Sequence, residues 1–201
     1  EGEFYFCDGQ EIWFATLLDL GGTISGDQQQ LAHGVVPSSP SEGGVVAGTL
    51  PGQAISPGTD AWLLIPSSDI PANPATHVNY SFSFDHWHDL ESGDGAWVEH
   101  RLRNGSSGWG SWTWTDLDSG YSHTISMGDL DVSGTPASST IPVFGGDAVS
   151  GWVSSSTNLS NIPDITTYTE IQFRFRIVTS ASSTGSAGWF LDNINYHNDG
   201  D

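Results

Sequence analysis

The chain has 201 residues, of which 36% are hydrophobic and 11% aromatic, enough apolar material for the core of one folded domain. Asp and Glu number 24 against four Arg and no Lys, so the formal net charge is −20 at pH 7. A surface of this charge excludes nucleic acids and anionic membranes as partners. No apolar run reaches the roughly 20 residues of a membrane-spanning helix, which argues against membrane insertion.

Alternation of apolar and polar residues predicts β-strands in the first half of the chain. Short strands are expected at residues 3–7, 45–50 and 61–65. A longer strand at 78–88 places Phe82 and Phe84 on its apolar face, and a strand at 96–103 places Val98 there. Because the residues between them, 91–95, are rich in turn formers, we expect these two strands to pair as a hairpin.

The second half shows the same alternation. A strand at 171–178 directs Phe173 and Phe175 inward, and a strand at 189–196 directs Phe190 and Ile194 inward with Asp192 on the same side. Helical periodicity is nearly absent. The sequence therefore predicts an all-β fold: a two-sheet antiparallel β-sandwich of jelly-roll type with little helix. One domain is expected over residues 1–201, with residues 1–44 as a strand plus irregular loops.

Several motifs occur in the order found in a known group of jelly-roll modules. They are Phe-Ser-Phe-Asp-His-Trp-His-Asp-Leu-Glu at 82–91, Asp-Gly-Ala-Trp-Val-Glu at 94–99, Asn-Gly-Ser-Ser-Gly-Trp at 104–109, Gln-Phe-Arg-Phe-Arg at 172–176 and Gly-Trp-Phe-Leu-Asp-Asn at 188–193. Together they resemble MAM-like domains and the C-terminal domains of immune-inhibitor-A-like secreted metalloproteases. The resemblance implies a non-catalytic module of an extracellular protein. His88 and Asn193 depart from the group's pattern, where a tyrosine and a second acidic residue are expected.

Carboxylates cluster at one predicted turn, at Asp89, Glu91 and Asp94. Calcium binds six to eight oxygens from flexible loops of this kind, so we expect a structural Ca²⁺ site there. In related jelly rolls an acidic residue near the N-terminus often shares a calcium with one in the last strand. This resemblance makes Asp192 with Glu3 or Asp8 a second candidate site. Ordinary hydrogen-bonded turn carboxylates are the alternative.

Two further residue types invite a binding role. His86, His88 and His100 would approach one another across the predicted hairpin and offer three imidazoles for zinc, although core histidines are the commoner outcome. Tryptophan is dense in the middle of the chain, and exposed indoles stack on sugars or bury a partner. Candidate ligand-binding residues are Trp97, Trp109, Trp112 and Trp114. Asn79, Asn104 and Asn158 each begin an N-glycosylation acceptor sequence.

The carboxylates Glu91, Asp94 and Glu99 would have to supply a glycosidase pair if the chain were an enzyme. No serine-hydrolase, zinc-protease or phosphate-loop motif occurs either, so we expect no catalysis. The favoured function is a secreted or cell-surface subunit, stabilised by calcium, that assembles with copies of itself or adheres in a surface layer, stalk or filament. Strand addition by residues 3–7 is one route to such an assembly. The alternative is a glycan- or protein-binding accessory module of a larger secreted hydrolase.

Overall fold

The structure is a computed structural model that describes residues 5–7, 13–17, 45–49, 54–72, 80–126, 140–146 and 148–198. These residues form thirteen strands, β1 to β13, and two single-turn 3₁₀ helices. In chain order the strands are Tyr5–Cys7, Trp13–Leu17, Val45–Thr49, Asp60–Leu64, Ser68–Asp69, Tyr80–Asp89, Gly95–Arg103, Thr113–Trp114, His123–Ser126, Thr140–Val143, Val153–Asn158, Glu170–Val178 and Gly188–Asn198. The 3₁₀ helices are Leu159–Asn161 and Ile165–Thr167.

The strands form two large antiparallel sheets and a two-stranded one. The six-stranded sheet runs β1-β4-β12-β7-β8, with β5 also paired to β12. The five-stranded sheet runs β11-β6-β13-β3-β2, and β9 pairs with β10. The predicted all-β antiparallel sandwich is confirmed, and no helix among the described residues is long and apolar enough to cross a bilayer. The single-domain expectation stays a prediction; within residues 1–44 the described strands pair with β4 and β3.

The core lies between the inner faces of the two large sheets. Phe82 and Phe84 of β6 contact Phe173 and Phe175 of β12, with Phe82 and Phe173 stacked at a centroid distance of 4.1 Å. These four side chains and Val98 are at most 1% exposed, as the alternation predicted. Ile194 is partly buried against the same cluster. The large aromatic contribution follows from strands that each place an apolar residue inward at every second position.

The predicted hairpin between residues 78–88 and 96–103 is wrong. β6 pairs with β11 and β13 in the five-stranded sheet, whereas β7 pairs with β12 and β8 in the six-stranded sheet. The turn after β6 therefore carries the chain across the sandwich. The segment after β12 makes the return crossing next to it, since Asp94 accepts hydrogen bonds from Ser180 N (2.8 Å) and Ser183 Oγ (3.1 Å). The two crossings stabilise each other.

An irregularity in β13 corrects the expected facing of the last strand. The pairing with β6 shifts register between Asp192 and Asn195, where Asn193 has a left-handed φ of 48°. Before the shift, Phe190 and Asp192 point to the outer face, opposite Trp87 and Asp85. Phe190 is buried as predicted, but in an outer cluster with Trp87, while Ile194 faces the core. Asp192 and Ile194 thus lie on different sides, because a one-residue slip reverses the face.

Candidate functional site

All four basic residues of the chain lie on the outer face of the six-stranded sheet. Arg101 and Arg103 alternate along β7, and Arg174 and Arg176 alternate along β12, outside a core of inward-facing aromatic residues. Register places each arginine beside a polar or aromatic partner on the neighbouring strand: Arg103 opposite Glu170, Arg101 opposite Gln172, Arg174 opposite Glu99 and Arg176 opposite Trp97. Period-two alternation therefore collects the chain's positive charge on one surface.

The arginines are held by defined contacts. Arg174 Nε donates to Glu99, and the two side chains are only 10% and 9% exposed. Arg176 binds Asp60 at 2.7 Å and reaches Glu99 at 3.3 Å. Burial lowers the pKa of Arg174, and the charge and hydrogen bond of Glu99 oppose that effect, so the guanidinium stays protonated. This part of the face is a desolvated ion-pair network, with geometry fixed more firmly than in exposed pairs.

Indole rings stack on the same guanidinium groups. Arg101 and Arg174 lie 4.5 and 4.4 Å from the ring centroid of Trp112. Arg103 lies 4.5 Å from Trp109, and Arg174 lies 4.9 Å from Trp62 on β4. Such contacts stabilise by about 0.5–2 kcal/mol each. We call this surface the tryptophan–arginine face; it consists of Trp62, Trp109, Trp112, Arg101, Arg103, Arg174 and Arg176.

The structure separates the four tryptophans predicted from the sequence. Trp109 and Trp112 are half-buried on the tryptophan–arginine face. Trp97 is 1% exposed beneath the β9–β10 hairpin, so it is a packing residue and not a ligand contact. Trp114 is half-buried, donates to Pro142 O at 3.1 Å and packs against Tyr121. Trp62 was not predicted as a ligand contact, although its alternation with Ala61 and Leu63 places it on the outer face.

Two carboxylates of the predicted calcium turn accept hydrogen bonds from the loop between β12 and β13. Asp94, fully buried, accepts from Ser180 N, Ser183 Oγ and Ser186 Oγ. Glu91 accepts from Thr184 N at 2.8 Å and from Thr184 Oγ1. Buried carboxylates need such partners, and serine and threonine supply them to Asp94 and Glu91. Asp89 lies at the end of β6, opposite Gly188, and is 8% exposed.

The second predicted calcium site involves residues on and beyond the described part of the chain. Asp192 lies on the outer face of the five-stranded sheet, opposite Asp85, and accepts a hydrogen bond from Asn193 N. Glu3 and Asp8 lie outside the described residues. Among the described residues, no group of three or more His, Cys, Asp or Glu side chains has an arrangement that could hold a metal. Calcium stabilisation stays a prediction.

The three histidines are not brought together. His86 and His88 of β6 stack inside the sandwich with their Nδ1 atoms 3.4 Å apart, and His86 Nε2 contacts Ser155 Oγ at 3.2 Å. His100 lies in the other sheet and contacts Thr115 Oγ1 at 2.9 Å. Burial, and secondarily the charge of His88, lowers the pKa of His86 to about 3; burial lowers that of His100 to about 4 against the pull of Glu99. The zinc hypothesis fails because its hairpin does not form.

Two of the three glycosylation acceptors lie in described segments. Asn104 is exposed in the turn after β7. Asn158 caps the 3₁₀ helix Leu159–Asn161, its Oδ1 accepting from Ser160 N at 2.9 Å. Asn79 lies outside the described residues. Of the two, the exposed turn at Asn104 is the more accessible to a modifying enzyme.

The sequence matches no protein-family model and no curated protein. Among solved structures, one with a similar fold is the carbohydrate-binding module TmCBM61 in complex with β-1,4-galactotriose. It is 11% identical, with a TM-score of 0.39, and the similarity covers 93% of this chain and 88% of that one. The resemblance to MAM-like and immune-inhibitor-A-like modules stays a prediction.

Proposed function

We propose that this protein is a non-catalytic carbohydrate-binding module that holds neutral glycans on the tryptophan–arginine face. The proposal rests on the half-buried indoles of Trp62, Trp109 and Trp112. They stack on three fixed arginines of one sheet surface, Arg101, Arg103 and Arg174. Indoles present a large apolar area at low entropic cost. Contacts with the fixed arginines hold the indole rings in place before a ligand arrives, which lowers the entropic cost of binding.

The chemistry of the face suits a sugar ring. One side of a pyranose is lined with C–H groups that pack on an indole, while its hydroxyls need fixed donors and acceptors at the rim. Arg101 supplies donors at this rim, and its guanidinium is fixed because Nε and Nη2 both donate to Gln172 Oε1 at 2.9 and 2.6 Å. Arg103 and Glu170 form the next pair along the strands. A row of polar pairs beside a row of indoles matches an amphipathic ligand.

Charge selects among glycans. The chain carries −20 overall, and the arginines of the face are engaged with Glu99, Asp60, Glu170 and Gln172. An anionic polymer such as a polyuronate or a nucleic acid would therefore meet net repulsion with little compensating positive charge. Neutral glycans incur no such cost.

The carboxylates once considered for catalysis have structural partners. Glu99 binds two arginines, whereas Glu91 and Asp94 hold the loop between β12 and β13. Glu99 lies on the outer face of the six-stranded sheet, apart from Glu91 and Asp94 at the β6–β7 turn, and each carboxylate is engaged by these partners. This use of the carboxylates favours binding over hydrolysis.

The assembly hypothesis has less support than glycan recognition. Tyr5–Cys7 pairs with β4 of its own chain, as the edge strand of the six-stranded sheet. The outer edge of β11 is partly covered by the loop before β9, through Asp118 N to Ser156 O at 2.8 Å and Ser119 Oγ to Ser155 Oγ at 3.1 Å. We therefore favour glycan recognition outside the cell, at a surface or in secretion, over strand-addition assembly.

Calorimetry with neutral oligosaccharides tests the proposal, using trimers of β-1,4-linked glucose, xylose, galactose and N-acetylglucosamine. Binding of at least one trimer is expected, with Trp112→Ala reducing affinity about tenfold or more, equivalent to about 1.4 kcal/mol. The control is Trp152→Ala, a half-buried tryptophan on the opposite outer face. Absence of binding across the panel by folded protein, or equal losses in both variants, contradicts the proposal.

A further inference from the structure

A polar groove of about 560 Å³ opens at one end of the sandwich, away from the tryptophan–arginine face. Its walls come from the turn between β6 and β7, from strand β9, and from the segment that follows β12. Its volume falls within the range of small-molecule sites. Hydroxyl groups from all three walls line it, including those of Ser92, Thr124, Ser126 and Ser182.

The walls of the groove are tied to one another by buried hydrogen bonds. Asp94, at the β6–β7 wall, accepts from Ser180 N and Ser183 Oγ at the β12–β13 wall. Ser180 Oγ and Ser182 Oγ lie 2.9 Å apart, and Ser182 N donates to Ser180 Oγ at 3.2 Å. A fully buried carboxylate that satisfies three donors resists rearrangement, because moving any donor leaves charge unsatisfied. The groove is therefore preorganised for its ligand.

The lining defines the chemical class of that ligand. Among the described residues it contains the carboxylates Glu91 and Asp94, the imidazole of His123 and many hydroxyls, but no arginine and no indole. The charge of the two carboxylates repels an anionic ligand, whereas a sugar's hydroxyls can exchange hydrogen bonds with the serine and threonine hydroxyls. We propose that the groove is a second binding site, which takes one or two neutral sugar units by hydrogen bonding alone.

This site is spatially distinct from the face assigned above. The groove lies at the end of β7 that begins with Gly95, and Arg103 with Trp109 lies at the other end. The nine residues from Gly95 to Arg103 span roughly 26 Å at about 3.3 Å per residue, whereas Arg176, opposite Trp97 and Trp62, lies nearer the groove. The inference does not depend on the first site: a module with both sites binds two separated parts of a glycan, or two chains, and gains avidity.

Amide and indole NMR signals test the inference directly. Methyl β-glucoside and methyl β-galactoside should shift the amide signals of Ser92, Gly93 and Ser182 in a saturable way over the millimolar range. Glucuronate should bind at least about tenfold more weakly than the neutral sugars, because the two carboxylates repel its negative charge. Equal binding of glucuronate, or no saturable shift with either neutral sugar, overturns the proposal.

Variants that fill the groove give the second arm. Thr124→Trp, on an exposed position of β9, should abolish the groove shifts, while Thr166→Trp, the same change at an exposed position elsewhere, should leave them unchanged. Ser92→Trp, from another wall, replaces Thr124→Trp if that variant fails to fold. Persistence of the shifts in a folded groove-filling variant overturns the proposal. Indole signals of Trp109 and Trp112 report the first site separately: shifts there without groove shifts reject only the groove, and groove shifts alone reject only the face.

Discussion

The outer faces of the two large sheets both carry tryptophan, but in different surroundings. On the six-stranded sheet, Trp62 and Trp112 are half-buried and stack against Arg174. On the five-stranded sheet, Trp87 is 5% exposed, packed edge-on against Phe190 and covered by Val149 and Trp152. An outward tryptophan is therefore a ligand contact only where no loop covers it. The covering loop is a tertiary feature, and alternation along the strand carries no information about it.

Removing Trp87 should destabilise the fold more than removing an indole from the opposite face. Trp87→Ala empties a buried position and is expected to lower the free energy of unfolding by about 3–5 kcal/mol. Trp62→Ala removes a half-buried ring and should cost less, while weakening glycan binding. Urea unfolding monitored by circular dichroism measures both. Equal losses of stability would show that the two faces do not differ in the way described.

The ion pairs of the six-stranded sheet provide a second comparison, within one face. Glu99→Ala leaves the 10%-exposed Arg174 without its main partner and should cost about 3–5 kcal/mol. Glu170→Ala breaks a pair whose side chains are 30% and 20% exposed, and should cost about 1 kcal/mol or less. Chemical denaturation of the two variants in parallel checks this. A Glu99→Leu/Arg174→Met double variant should recover much of the loss, because it removes both charges of that pair while Arg176 keeps Asp60.

Calcium binding would distinguish two groups of acidic residues, one at Asp192 on the five-stranded sheet and one at the turn after β6. Calcium that binds only the folded state raises stability by about 2.7 kcal/mol at a hundredfold excess over Kd. We expect melting temperature to rise with millimolar calcium and less with magnesium, which demands tighter geometry. Asp192→Asn and Asp94→Asn should distinguish the two candidate positions by loss of the calcium-induced shift. Coincident melting curves with calcium and with chelator would reject both positions.

Acid should destabilise the fold through two buried histidines, one from each sheet. In the folded state His86 has a pKa of about 3 and His100 of about 4, both lowered chiefly by burial, against 6.5 for the unfolded chain. Below pH 6.5 the unfolded chain binds more protons than the folded protein. The free energy of unfolding therefore decreases as the pH is lowered, by up to about 1.4 kcal/mol per pH unit for each histidine. The loss is complete near pH 4 for His100 and near pH 3 for His86.

Substitution isolates each histidine's share of that acid sensitivity. His86→Gln and His100→Gln should each reduce the pH dependence of the unfolding free energy between pH 6 and 4.5 by about 1.4 kcal/mol per unit. Urea titrations at three pH values provide the measurement. An unchanged slope in His86→Gln would mean that the ring is protonated in the folded protein, and the buried His86–His88 contact would then need a different description.

The sequence predicted which strand residues face the core better than it predicted which strands pair. Alternation placed Phe82, Val98 and Phe175 in the core, because the side-chain period of a strand is local. It could not tell that β6 and β7 lie in different sheets, since a five-residue turn permits either a hairpin or a crossing. The crossing is stabilised by Asp94, whose carboxylate accepts hydrogen bonds from serines more than 80 residues away in the chain. That contact has no local signature.

The same limit applied to the candidate site. The sequence identified Trp109 and Trp112 as candidate ligand contacts, but the stacking of Arg174 on Trp112 joins residues 62 positions apart. Trp97 was misassigned because the β9–β10 hairpin that covers it is also distant in the chain. At Asp192 a single left-handed residue, Asn193, reversed the predicted face.

Confinement of every arginine to β7 and β12, in a chain without lysine, bears on digestion by trypsin. Trypsin cleaves only after basic residues, and a peptide bond must leave its strand before it fits a protease cleft. The bonds after Arg101, Arg174 and Arg176 lie inside two strands paired to each other in the middle of a sheet, and the bond after Arg103 lies at the end of β7. Fraying of the neighbouring turn can expose the bond after Arg103, whereas cleavage at the other three reports the population in which the central pair has opened.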